Sequence, residues 1–226
     1  MKKLFLSTLF CYLIANLQAQ TSIADTLIQS KQKSNLAYVS LYKENSEMSY
    51  TSPAGEIGAP SKYVINGKLT TSYLVFAPQN LPVAFSLNPE FTVRVRSERS
   101  AGVRTPSFRL GGTFYVRLTD DIRNYQYAQL SFTHHSNGQD GAAVLADGSI
   151  NTQNGNFNTN YLTFAYRFRK FLNPNKSNSA SLHHKVGLEW HKWFAYENAL
   201  NGDYGFTRLN YDFSYRIYQI YDGKKA

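Results

Sequence analysis

The segment "QLSFTHHSNGQDG", residues 129–141, contains side chains whose types and spacing suit hydrolytic chemistry. Read with the two-residue period of a strand, Leu130 and Phe132 share a face with His134 and Ser136. Residues two apart on a strand are separated by about 6.5–7 Å, so a His that leans towards a Ser at a strand end reaches its hydroxyl. The pair predicts a general base, His134, and a nucleophile, Ser136, acting on an ester carbonyl.

A Ser-His pair also needs a group that holds the imidazole tautomer, usually an acceptor on a neighbouring strand. The next strand along the chain has an apolar face that begins with Asn158 and Asn160. Either amide oxygen can accept the His134 N–H. The residues therefore predict a Ser-His-Asn arrangement, with the choice between the two asparagines open.

The N-terminus has the pattern of a secretory signal. "MKKLFLSTLFCYLIANLQAQ" places two lysines before an apolar run from Leu4 to Ala15, with Ala19 at a suitable cleavage point. The apolar run is shorter than the roughly 20 residues of a spanning helix. We predict a signal peptide over 1–19 and one domain over 20–226. The single cysteine, Cys11, lies in the signal, which excludes disulfides and cysteine metal sites from the mature chain.

The remaining sequence is rich in Tyr and Phe, and helix signals are nearly absent. Period-two alternation recurs in segments separated by Gly, Asn, Asp, Ser and Pro clusters, which predicts an antiparallel all-β domain. We expect about eight strands, near 35–43, 68–77, 82–97, 105–118, 124–136, 157–170, 181–194 and 206–221.

Strand and connection lengths favour a transmembrane β-barrel of the bacterial outer membrane over a secreted soluble β-protein. The alternating runs exceed the usual five or six residues and suit tilted membrane strands of about nine to eleven. Links after the second, fourth and sixth strands are short or moderate, and those after the first, fifth and seventh are long, as in a barrel with periplasmic turns and extracellular loops. His134 and Ser136 would then face lipid near the outer rim, where polar groups are costly and suggest function.

The formal net charge is +9, and two of these charges, Lys2 and Lys3, lie in the predicted signal. The arginines are spread over interior-facing positions of the predicted strands. We therefore expect no nucleic-acid partner, and an interior charge network or contacts with anionic lipid.

The segment "HHSNG", residues 134–138, resembles the His-x-Ser-Asn-Gly motif of the outer-membrane phospholipase A family. The resemblance extends upstream through "RTPSFRLGGTFY" and downstream to "FNTNYLTF", about the middle third of the chain. It implies a Ser-His-Asn triad that faces lipid and hydrolyses fatty-acyl esters of phospholipids in the outer leaflet. By this resemblance, His134 is the base, Ser136 the nucleophile and Asn158 the orienting residue with Asn160 in reserve, and the Gly138 N–H donates to the oxyanion.

The resemblance also implies Ca²⁺ as cofactor and a homodimer that completes the metal site. The ligand that matches the family's loop carbonyl is the backbone carbonyl of Gln139. Asp140 and Asp147, in the same loop, are further candidate ligands because of their side-chain chemistry, and Ser97 and Ser100, in the preceding outer loop, are candidates from a second subunit. Carboxylate and carbonyl oxygens are the donors that calcium prefers.

The sequence departs from the family in strand number, since the family has twelve strands and about eight are visible here. Its last residues, "YDGKKA", also lack the terminal aromatic residue that is usual in the family. Two alternatives stay open. One is a lipid A deacylase, whose third triad member is a Glu, and the other is a non-catalytic barrel that serves as a pore or scaffold.

Overall fold

The computed structural model describes residues 25–46, 48–53, 63–96, 103–151, 153–172, 178–201 and 204–219. The predicted signal peptide lies outside these ranges. Within them the chain forms helix α1 over 25–44 and ten strands. The strands are β1 (Tyr50–Pro53), β2 (Tyr63–Thr70), β3 (Tyr73–Phe76), β4 (Val83–Leu87), β5 (Glu90–Arg96), β6 (Val103–Arg117), β7 (Gln126–Ser136), β8 (Asn158–Leu172), β9 (Asn178–Trp190) and β10 (Thr207–Gln219).

The ten strands form one curled antiparallel sheet in the order β1-β2-β5-β6-β7-β8-β9-β10, with β4 paired to both β3 and β6. Against β6, the register continues unchanged from Leu87↔Gly112 in β4 to Glu90↔Arg109 in β5. The strands β4 and β5 therefore lie end to end and together fill one position in the sheet, which we call a row. The row is interrupted at Pro89, which has no N–H to donate to the ladder. The strands β2 and β3 likewise share a row. The predicted antiparallel β architecture is confirmed, as ten strands in eight rows.

The two faces of the sheet separate apolar from polar side chains as the alternation predicts. On the convex face, large apolar side chains are exposed along β6, β7, β8 and β10. Examples are Leu110, Phe114, Leu130, Phe132, Phe164, Leu209 and Phe213. The concave face carries hydroxyl, charged and tyrosine side chains. They include Thr113, Tyr115, Tyr127, Thr159, Tyr161 and Arg169, all buried. Because successive residues of a strand point to opposite faces, a shift of one residue in the pairing register would exchange the apolar and polar faces.

The prediction of a strand near 35–43 is wrong, because these residues belong to helix α1. Its buried side chains include Asn35, Tyr38, Leu41 and Tyr42, spaced three, three and one apart, which is the buried face of a helix. A strand would place Leu41 and Tyr42 on opposite faces, yet both are buried. No helix in the described part of the chain is long and apolar enough to cross a membrane.

Helix α1 packs into the concave side of the sheet through a tyrosine cluster, formed by Tyr38 and Tyr42 with Tyr115, Tyr125 and Tyr127. The Tyr42 and Tyr115 rings stack with centroids 4.5 Å apart, and Tyr42 meets Tyr127 edge to face at 5.0 Å. Such pairs add stabilisation beyond the burial of their area. The cluster fills one end of the interior.

We call that end the turn end, because it carries the short connections 77–82 and 118–125. Asn35 of α1 donates to the Gln79 carbonyl at 2.7 Å, and the Tyr38 hydroxyl accepts from the Gln126 N–H at 3.2 Å. The opposite, loop end carries the long connections 137–157 and 191–206. Between β6 and β10 the connections alternate between short and long as predicted, with His134 and Ser136 at the loop end of β7. The predicted long link after a first strand does not apply, because residues 35–43 are helical.

We expect Tyr42→Ala to lower the free energy of unfolding by about 3 kcal/mol, because it removes a ring that is 5% exposed and packs against three other tyrosines. Denaturant unfolding of the purified protein measures this change. Leu36→Ala is the matched control on the same helix, since Leu36 is 48% exposed; its effect should stay below about 1 kcal/mol. Equal losses in the two variants would contradict the packing described for α1.

Candidate functional site

The centre of the site is a hydrogen bond between β7 and β8 on the convex face. The register places His134 opposite Asn160 and Ser136 opposite Asn158. Asn160 Oδ1 lies 2.9 Å from His134 Nδ1. The residue that the structure brings to the His134 ring is therefore Asn160, the reserve candidate, while Asn158 lies one pleat further along, across from Ser136.

The orientation of the Asn160 amide decides the tautomer of His134. The Asn160 Nδ2 donates to the Ala195 carbonyl at 2.7 Å, and a carbonyl can only accept. Its Oδ1 therefore faces the ring, and because Oδ1 is also only an acceptor, His134 Nδ1 carries the proton. In the neutral ring the other nitrogen, Nε2, is then the unprotonated one and can act as a base.

The Ala195 carbonyl belongs to a segment that runs beside the start of β8. Tyr196 bridges to Thr159, and the Glu197 N–H donates to the Asn158 carbonyl at 2.9 Å. The Glu197 carboxylate accepts from Asn156 Nδ2 at 2.8 Å. Sequence reasoning missed this segment, since the motif contains no signal that a main-chain carbonyl 35 residues beyond Asn160 orients its amide.

Ser136 is the last residue of β7 and shares the convex face with His134. It is partly buried, and its hydroxyl makes no hydrogen bond with any described residue. The hydroxyl is free to meet a substrate carbonyl. Contacts between a nucleophile and its base are commonly long without substrate and tighten when substrate binds.

The backbone after Ser136 turns at Gly138, whose φ of 65° lies in the left-handed region that favours glycine. Asn137 fixes this turn, because its Oδ1 accepts from the N–H groups of Gln139 (3.3 Å) and Phe157 (2.9 Å). Its Nδ2 donates to the Gly155 carbonyl at 2.7 Å, which ties the two ends of the β7–β8 connection together. The Gly138 N–H has no acceptor among the described residues, so it can donate to a ligand.

A buried histidine supports the strand next to the site. His191, immediately after β9, forms hydrogen bonds at both ring nitrogens. Its Nδ1 lies 2.8 Å from Thr159 Oγ1, and its Nε2 donates to Glu189 Oε1 at 2.7 Å. Arg208 donates to the same Glu189 oxygen at 2.9 Å. Burial lowers the pKa of His191, while the Glu189 carboxylate opposes that shift. The network anchors Thr159, the neighbour of Asn160 on β8.

Of the residues predicted as calcium ligands, Gln139, Asp140 and Asp147 lie in the described part of the chain, in the connection between β7 and β8. Asp140 is exposed, and within the described ranges no group of three His, Cys, Asp or Glu side chains is placed to hold an ion. Asp147 Oδ1 already accepts from the Ser149 N–H and hydroxyl at 2.9 and 2.6 Å, and these bonds lower the pKa of its carboxyl. Ser97 and Ser100 lie outside the described residues.

Comparisons of this chain with protein-family models, with curated proteins and with solved structures find no match. The candidate site is therefore defined by the geometry of His134, Asn160, Ser136 and Gly138. These four residues combine an imidazole with a defined tautomer, a hydroxyl and an N–H donor at one end of an exposed apolar face.

Proposed function

We propose that this protein is an outer-membrane β-barrel that hydrolyses fatty-acyl esters of phospholipids on its lipid-facing surface. The observation that carries the proposal is the bond from His134 Nδ1 to Asn160, which leaves Nε2 as the base two residues from Ser136. The exposed apolar side chains of the convex face support a lipid contact, because an apolar face of this extent is unfavourable in water.

The proposed reaction is acyl transfer through serine. His134 Nε2 takes the proton from Ser136 as Oγ attacks the ester carbonyl, and the imidazolium returns it to the departing alcohol. Water then attacks the acyl-serine with the same base, which releases the fatty acid and restores the hydroxyl. The Asn160 amide holds the ring orientation through both steps, and the Gly138 N–H donates to the oxyanion of each tetrahedral intermediate.

Two observations favour phospholipid hydrolysis over the alternatives of a pore and a lipid A deacylase. A pore requires an open interior, whereas the tyrosine cluster of α1 fills the turn end. A lipid A deacylase of the kind considered above uses Glu as the third member, whereas the side chain bonded to His134 Nδ1 is Asn160. Substrate profiling separates the acyl hydrolases, since one releases fatty acid from glycerophospholipid and the other from lipid A.

The membrane setting predicts opposite labelling of two adjacent positions on β8. A cysteine at Phe164, which is 59% exposed on the convex face, should react with a lipid-phase thiol reagent. A cysteine at Thr163, which lines the interior cavity, should react only with a water-soluble reagent. Labelling in isolated outer membranes measures both, and the reverse pattern, or recovery as a soluble periplasmic protein, would end the proposal of a lipid-facing site.

The catalytic roles predict a graded loss of ester hydrolysis. Ser136→Ala and His134→Ala should each lower kcat by about 10³-fold or more, because they remove the nucleophile and the base. Asn160→Ala should retain more activity than either, since it only orients the ring. Asn158→Ala is the matched control on the same face and should be less impaired than Asn160→Ala. Release of fatty acid from phospholipid micelles measures all four, and full activity in Ser136→Ala would refute the mechanism.

Calcium dependence is a separate part of the proposal, supported by the resemblance of residues 134–138 to the phospholipase motif. We expect EDTA to suppress hydrolysis by the wild type and added Ca²⁺ to restore it. Asp140→Asn should raise the Ca²⁺ concentration needed for half-maximal activity, with the exposed Asp25→Asn at the start of α1 as the charge-matched control. Activity that is unchanged in EDTA would remove calcium and leave the serine mechanism intact.

A further inference from the structure

We propose that the turn 191–195, between β9 and β10, positions the base of the proposed hydrolysis. The Phe194 ring holds the Ala195 carbonyl against the Asn160 amide. That amide in turn keeps the proton of His134 on Nδ1. The inference rests on the proposed function and adds to it a positioning residue, Phe194, which acts through its neighbours and not on the substrate.

The turn is a bulge in the chain that follows β9. The regular pairing of β8 with β9 ends at Leu162↔Trp190, and a single further bridge joins Thr159 to Tyr196. Between these two pairs, β8 has two residues and the opposite segment has five, 191–195. Carbonyls of a regular ladder are directed at the neighbouring main chain, so a bulge is needed to present one to a side chain on the face of the sheet.

The start of the turn is anchored by the buried residue His191. Its ring bonds to Thr159 and Glu189, and its N–H donates to the Phe206 carbonyl at 3.0 Å. The Phe194 N–H then donates to the His191 carbonyl at 3.1 Å, which closes the turn. The main chain at Phe194 is therefore tied to a residue that the sheet holds in place.

The Phe194 ring links the turn to the strand that carries the base. It meets the Phe132 ring edge to face, with centroids 5.3 Å apart, and Phe132 lies two residues from His134 on the convex face of β7. Trp193, the preceding residue of the turn, packs instead on Trp190 with centroids 5.7 Å apart, and it is 74% exposed. Of these two aromatic residues, Phe194 is the one that contacts β7.

The Ala195 carbonyl decides between two orientations of the Asn160 amide. In the observed orientation, Asn160 Nδ2 donates to Ala195 and Oδ1 accepts from His134 Nδ1. The reverse orientation would place Oδ1 against the Ala195 carbonyl, and two acceptors form no hydrogen bond. It would also present a donor to Nδ1, which favours the ring with its proton on Nε2, where it cannot act as the base. The base form of His134 thus depends on the position of the Ala195 carbonyl.

The bond between Asn160 and Ala195 lies at the surface. An exposed hydrogen bond contributes little net stability, so this bond by itself holds the turn only weakly. The main-chain bridge at Tyr196 fixes the end of the turn, and the contact of Phe194 with Phe132 fixes its outer part. Removing the ring should therefore let the Ala195 carbonyl move away while the strands stay paired.

Nitrogen NMR of the purified protein with ¹⁵N-labelled histidine tests the positioning directly. The His134→Gln variant assigns the His134 signals among those of the five histidines. At the alkaline limit of a pH series, we expect the wild-type proton on Nδ1 and a substantial Nε2-protonated population in Phe194→Ala. Phe194→Tyr keeps the ring and should restore the wild-type pattern. Trp193→Ala is the matched control in the same turn and should leave the tautomer unchanged, since Trp193 packs on Trp190.

Hydrolysis of phospholipid micelles gives an independent measurement. We expect Phe194→Ala to lower kcat by about tenfold and to change KM by less than about twofold, because a misplaced base slows the chemical step. The Asn160→Ala/Phe194→Ala double variant should be no slower than Asn160→Ala, since the ring acts through the amide.

An unchanged His134 tautomer in folded Phe194→Ala would overturn the positioning role, as would losses in kcat that multiply in the double variant. Phe132→Ala removes the other ring of the contact and should reproduce the change in tautomer, which provides the test if Phe194→Ala does not fold. A wild type that releases no fatty acid would overturn the proposed function, and the NMR comparison would still decide whether Phe194 orients the ring.

Discussion

The pairing register between β7 and β8 is the constraint on which the rest of the structure depends. It runs without a shift from Gln126↔Phe168 to Ser136↔Asn158. A slip of one residue would turn Leu130 and Phe132 inward and Ser131 and Thr133 outward, because side chains alternate with period two. The same slip would remove Asn160 from His134. One register thus fixes both the apolar convex face and the proposed triad.

The adjacent residues His134 and His135 illustrate how this register assigns different chemistry to neighbours. His134 points to the apolar convex face and bonds to Asn160, whereas His135 points to the interior and bonds to Ser107. The peptide between them is part of the sheet that separates a proposed lipid-facing site from the polar interior. The two histidines cannot share a ligand, although they are consecutive in sequence.

The interior shows how a polar concave face is stabilised. Ionic groups share partners, such as Glu90 with Lys68 and Arg109, and Glu189 with Arg208, while His191 also hydrogen-bonds to Glu189. Buried charges of one sign would be strongly unfavourable without such partners. At the turn end, the interior is filled by tyrosine rings instead of charged groups, and helix α1 contributes two of these rings, Tyr38 and Tyr42. The interior is therefore filled at one end and polar and accessible at the other.

The sequence by itself determined the antiparallel β class, the two faces of each long strand and the candidates His134 and Ser136, because these follow from local alternation and side-chain chemistry. It did not determine α1, although Tyr38, Leu41 and Tyr42 have helical spacing, since a short mixed segment fits either period until its packing partners are known. It left Asn158 and Asn160 as alternatives, because both lie on one face of β8. Only the tertiary structure decided which of them bonds to His134, because that contact depends on cross-strand register and on the Ala195 carbonyl, which lies far from Asn160 in the chain.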